Sequence, residues 1–179
     1  MSTHIYVDET KAKGYLIAAA TGTRSELTLS RKELSTLVLP RQRGLHMNAE
    51  SPSRRREIAD TILRMGEMLG VQATVYDAGR SGTEKERRAR CLEALVEDAA
   101  RHPQAKIVFD LDESLRSWDR QQMIELTRAA GVQDRLSYDH VHRNTELLLA
   151  LPDAVAWCWA RGGEWRARIR PVVREIREV

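Results

Sequence analysis

The run His4-Ile5-Tyr6-Val7-Asp8-Glu9-Thr10 decides how this chain is read. Ile5, Tyr6 and Val7 are strong strand formers, and their position near the first residue predicts a buried opening strand. A carboxylate closing such a strand is costly to desolvate unless something compensates its charge. Two more strand-like runs end the same way, Ala73-Thr74-Val75-Tyr76-Asp77 and Lys106-Ile107-Val108-Phe109-Asp110. One such Asp is explained by the preference of acids for loop starts and helix caps. Three of them imply several negative charges gathered at one sheet edge, which is how a protein holds Mg²⁺ or Mn²⁺.

Composition narrows the class. A chain of 179 residues is long enough for one sizeable core. The expected organisation is a single domain over residues 1–179, with a last helix (about 164–179) packing as a C-terminal extension. With 42% hydrophobic and 31% charged residues, the chain is too apolar for disorder and too polar for a membrane protein. No basic-then-apolar leader opens the sequence, so a cytoplasmic location is expected. Cys91 and Cys158 stand apart, without zinc-type spacing, and read as reduced core thiols. The net charge of +3 says little, but only five of the 29 basic residues are lysines. Arginine suits bidentate phosphate contacts. Arg41, Arg43, Arg54 and Arg55 are therefore candidates to track a nucleic-acid backbone, and solvated helix faces are the competing explanation.

Along the chain, strands are expected at the start, at Gly14–Thr21 and near Glu26–Leu29, suggesting an antiparallel meander. A short helix follows over Ser30–Leu37, stopped by Pro40. Ser51-Pro52-Ser53 is a strong helix start, and Ile58, Ile62, Met65 and Leu69 then form an apolar stripe that Gly70 ends. Val71–Tyr76 reads as a strand, Glu84–Arg101 as a helix, Lys106–Phe109 as a strand and Trp118–Ala130 as a helix. The tail holds one more short strand at Leu136–Arg143, a helix from Pro152 to Gly162-Gly163, and an amphipathic helix marked by Trp165, Ile169, Val172 and Ile176. A meander feeding a parallel βαβ crossover gives an α/β fold: a mixed five-stranded sheet with helices on both faces.

That order, with acids at these places, resembles the ribonuclease-H-like superfamily of nucleases, integrases and transposases. The resemblance implies two divalent metals, Mg²⁺ or Mn²⁺, held by four acids, and Asp8, Glu57, Asp77 and Asp153 occupy the matching positions. Glu50 competes with Glu57, as does Leu45-His46. Asp110 or Asp112 competes with Asp77. By the same resemblance His142, or His140, matches a histidine that precedes the last acid and shuttles a proton; a polar strand face competes with that role. Within the superfamily, Val7-Asp8-Glu9 and Leu151-Pro152-Asp153-Ala154-Val155-Ala156 look like a bacterial family of uncharacterised, transposon-associated proteins. Thr10, where that family has Ser, and Pro152 before the acid depart from its pattern.

The implied activity is metal-dependent phosphodiester hydrolysis, in which two cations about 3.5–4 Å apart activate water and stabilise the leaving oxygen. The competing reading is a catalytically silent member that binds nucleic acid or a partner protein. DNA, RNA and a hybrid all remain open as partners, and so does the oligomeric state, with a homodimer one of the options. Trp157, Trp159 and Trp165 cluster late in the chain, where core packing competes with base stacking.

Overall fold

The computed structural model describes residues 2–179. Its elements are β1 (Ser2–Thr10), β2 (Tyr15–Thr23), α1 (Arg24–Ser35), α2 (Pro52–Leu69), β3 (Gln72–Gly79) and α3 (Glu84–Ala99), followed by β4 (Gln104–Asp110), α4 (Arg116–Ala129), β5 (Leu136–Val141), α5 (Ala150–Arg161), α6 (Gly163–Ile169) and β6 (Val173–Glu178). One six-stranded sheet runs in the order β5-β4-β1-β2-β3-β6. The neighbours β1–β2 and β2–β3 are antiparallel; β1–β4, β4–β5 and β3–β6 are parallel.

Both faces of the sheet are covered, which explains why β1 reads as a continuous apolar run instead of an alternating one. Tyr6, Leu16, Val75 and Val108 face a layer built from α1, α2, α5 and α6. Ile5, Val7, Ile17 and Phe109 face the opposite layer, α3 and α4. Asp8 follows Tyr6 in alternation and therefore points toward the α5 side. α5 lies across β1 and β2.

Two expectations fail, each for a local reason. Glu26–Leu29 is not a strand but the first turns of α1. The Thr23 hydroxyl accepts from Glu26 N at 3.4 Å, and Thr23 N donates to the Glu26 carboxylate at 2.6 Å. This reciprocal capping box starts a helix whose inward residues are Leu27, Ser30 and Leu34. Two helices therefore stand between β2 and β3, so the sheet's third strand comes after them. The expected helix over 164–179 stops at Ile169. Pro171 supplies no backbone donor, and Val173–Glu178 then adds a sixth strand beside β3. By contrast, α2 starts at Pro52 with Ser51 as its cap and ends at Gly70, whose φ of 77° is left-handed. Among the described residues no helix is long and apolar enough to cross a membrane.

Candidate functional site

Asp8 and Asp110 stand one residue past the paired Val7 and Phe109, at the C-terminal ends of adjacent parallel strands. Neighbouring strands lie about 4.8 Å apart, which places these acids side by side. α5 crosses the same strand end and brings Asp153 in from its first turn. Met47, in a single 3₁₀ turn over Met47–Ala49, donates its backbone N–H to Asp153 Oδ2 at 2.8 Å and fixes that carboxylate. Asp8 Oδ1 accepts from Glu9 N at 2.8 Å.

Burial and crowding shape the electrostatics. Burial is the main force holding the Asp8 carboxyl well above the usual carboxylate range, and the charges of Asp153, Glu9 and Asp110 add to it. Burial also raises Asp153, against the pull of the Met47 amide, Arg143 and His46. Arg143 is the compensating cation: its guanidinium donates to Asp110 and lies within the field of Asp8 and Asp153. A polar cleft of about 440 Å³ opens over the site, lined in part by Asp8, Asp110, Asp112, Asn48 and Arg143. Hydrogen bonds from Ser114 hold Asp112 below the usual carboxylate range.

The candidates from the sequence divide. Asp8 and Asp153 come together; Asp77 does not join them. Asp77 lies two residues before the end of β3, and β2 separates that strand from β1. Its Oδ1 instead accepts from Gly79 N in its own turn at 2.9 Å. Asp110, on the strand that does adjoin β1, stands where Asp77 was expected. Glu57 is exposed on α2, ion-paired with Arg54 at 2.8 Å. Glu50 is buried and accepts from Gln42 and Arg54. His140 faces the opposite layer, stacked on Phe109 at 4.9 Å between centroids. His142 is exposed in the loop after β5, with Nδ1 accepting from Asn144 N. His46, close enough for its charge to act on Asp153, bonds to Asn144 Oδ1 at 3.2 Å.

The arginines divide too. Arg41 and Arg43 are exposed. Arg54 uses all three nitrogens on Glu50, Glu57 and the Leu37 carbonyl. Arg55 donates to the carbonyls of Met47 and Asn48 and lies over Trp157.

Among the described residues no three His, Cys, Asp or Glu side chains close into a ready metal cage. The donor set nevertheless suits a hard divalent cation: three carboxylates, no thiol, and an excess of negative charge that a single guanidinium offsets. Arg143 already occupies one Asp110 oxygen, so a cation at this carboxylate would compete with the guanidinium. Arg143→Gln should therefore destabilise the metal-free protein by about 1–3 kcal/mol, since it leaves buried carboxylates uncompensated. Mn²⁺ should then raise the melting temperature of this variant more than that of the wild type. Equal responses of the two proteins to Mn²⁺ would show that Arg143 does not compete with metal.

This architecture is an α/β, ribonuclease-H-like fold. Among solved structures the chain is similar to that of the PCNA:RNase HII complex from Archaeoglobus fulgidus, with a TM-score of 0.54 and 13% identity over 90% of this chain and 73% of the other. No protein-family model and no curated protein sequence matches the chain.

Proposed function

We propose that the chain is a divalent-metal-dependent nuclease that hydrolyses phosphodiesters by a two-metal mechanism, with nucleic acid as its partner. The observation that carries this reading is the convergence of Asp8, Asp110 and Asp153 at one strand end, with Asp8 buried at energetic cost. Perturbed carboxylates beside a cleft are favoured at functional sites, because a structural role rarely justifies such repulsion. Asp8, Asp110 and Asp153 would hold Mg²⁺ or Mn²⁺, which when bound activates water and stabilises the leaving oxygen. The Met47 amide orients Asp153. Arg143, once released from Asp110, is placed to meet a phosphate oxygen. His46 and His142 both bond to Asn144, the residue after Arg143, and either is a candidate to move a proton. Kinship with the transposon-associated family rests on Val7-Asp8-Glu9 and on Asp153, and is part of this proposal.

One observation favours a second reading, a silent member that only binds nucleic acid or a protein. Arg143 already supplies positive charge where a cation would sit. The two readings separate in a cleavage assay on labelled single-stranded DNA, duplex DNA, RNA and hybrid. The nuclease reading expects cleavage in millimolar Mn²⁺, none in EDTA, and at least a hundredfold loss in Asp110→Asn. Absence of cleavage on all four substrates leaves the silent reading in its place.

A further inference from the structure

α5 carries more than Asp153. Trp157 and Arg161 follow it at steps of four, so the three residues lie along one face of the helix. From Asp153 to Arg161 this line covers roughly 12 Å. It starts at the acidic cleft, because Asn48 lines that cleft and its Oδ1 accepts from Trp157 Nε1 at 3.1 Å. Around Trp157 the side chains interleave. Arg55 lies over its ring at 4.8 Å and Arg161 at 5.7 Å. Trp165 of α6 meets it edge-on at 5.0 Å, and Arg56 lies over Trp165 at 5.8 Å.

Arg56 and Arg161 are exposed, and among the described residues their guanidinium groups have no hydrogen-bond or carboxylate partner within the chain. Neither is a freely swinging cation. Each rests on an indole, which orients the group and lowers the entropy lost when it binds something. A guanidinium held by its face keeps its N–H edge for an anion, and bidentate phosphate contacts use that edge. Lys13 adds a further positive charge at the far end, with Nζ donating to the Arg161 carbonyl at 3.1 Å. A buried or structural arginine would be paired, as Arg54 is. These two are held and left open.

We infer that Arg161, Arg56 and the indoles of Trp157 and Trp165 form a phosphate track that holds a single nucleic-acid strand leaving the acidic cleft along α5. This inference deepens the proposed function and rests on that reading for the direction of the strand. Binding itself requires no metal. The track is one row wide, which suits one backbone, and its contacts are to phosphate, so it does not discriminate between sequences.

The test is fluorescence anisotropy with a labelled 16-residue oligo-dT in EDTA. The full chain is compared with the double variant Arg56→Glu/Arg161→Glu and with Arg128→Glu, an exposed charge reversal on the opposite layer. The double variant should bind at least tenfold more weakly at 50 mM salt. Its log–log salt slope should be smaller in magnitude by about 1.4, the share of two single-strand phosphates. Arg128→Glu should stay within twofold of the wild type. The inference is overturned if the wild type does not bind, if the double variant binds as well as the wild type, or if Arg128→Glu loses as much. Failure here is separable from failure of the nuclease reading. Cleavage in Mn²⁺ with undiminished binding by the double variant removes the track alone. Track-dependent binding without cleavage removes the nuclease alone.

Discussion

Asp8→Asn should raise the melting temperature of the metal-free protein by about 2–8 °C and abolish the rise that Mn²⁺ is expected to give the wild type. Both effects have one cause. The Asp8 carboxyl is almost wholly buried among Asp153, Glu9 and Asp110, so its charged form is disfavoured in the native state. Asparagine keeps the shape and the acceptor for Glu9 N while removing the charge, and its amide can donate to a neighbouring carboxylate. The sign follows from linkage. A carboxyl whose native pKa is raised binds protons more readily when folded, so its contribution to stability falls as pH rises from the ordinary value near 3.9 through the native one. The wild type should therefore lose stability across that window relative to Asp8→Asn. A cation bound only by the folded state reverses the balance, adding about 2.7 kcal/mol at a hundredfold excess over its Kd. Melting curves of both proteins at pH 5 and 7.5, with and without Mn²⁺, decide the matter. A variant less stable than the wild type without metal would mean that Asp8 is adequately compensated and the site is not poised for a cation.

The strand end was legible because three β-branched or aromatic residues precede Asp8. Asp153 was legible from the helix start beside Pro152. The choice between Asp77 and Asp110 was not, for a reason that lies in topology. Asp77 and Asp110 close equally apolar runs, and local sequence does not say which strand will adjoin β1. The sheet order places β4 there and puts β2 between β1 and β3. Asp77 then takes the ordinary role of a loop-opening acid, bonding Gly79 N. Glu57 is instead exposed and ion-paired with Arg54, three residues earlier on the same helix, a pairing that helical spacing allows. Glu26-Leu27-Thr28-Leu29 alternates like a strand over four residues. The signal that wins is longer: Thr23 and Glu26 at capping-box spacing, then Leu27, Ser30 and Leu34 on one face. His46 was noted only as part of a competing segment, because its approach to Asp153 joins residues 107 apart in sequence.

Arg88→Met should be the most destabilising single substitution on the opposite layer, with a loss of about 3–5 kcal/mol. Three of the four residues in Arg87-Arg88-Ala89-Arg90 are basic, yet Arg88 is only 1% exposed. Its Nε and Nη2 donate to the two Asp119 oxygens at 2.6 Å each. Nη1 donates to the Tyr15 hydroxyl at 2.7 Å and lies 3.1 Å from Glu9. Burial alone would push Asp119 up, yet contacts from His140 and Arg88 outweigh it and hold the carboxyl below its usual range. Removing the guanidinium leaves Asp119 buried beside only His140, whose Nε2 is 3.4 Å away. That is an uncompensated charge, and it costs more than the pair contributes. The double variant Arg88→Met/Asp119→Leu replaces both groups with apolar ones and should recover at least half of the loss. A carboxyl with a lowered native pKa stabilises fully above the ordinary value near 3.9, and that stability disappears as pH falls through the native value. The wild-type urea midpoint should thus drop more steeply below pH 4 than that of the double variant. Urea unfolding at pH 7 and pH 3 measures both effects, and a double variant weaker than Arg88→Met alone would overturn the account. The network touches the acidic cleft through Glu9, the residue after Asp8 on β1. Anchoring Glu9 from below holds the end of β1 in place, so Arg88→Met should also weaken the response of the melting temperature to Mn²⁺, although Arg88 lies on the far side of the sheet from Asp153.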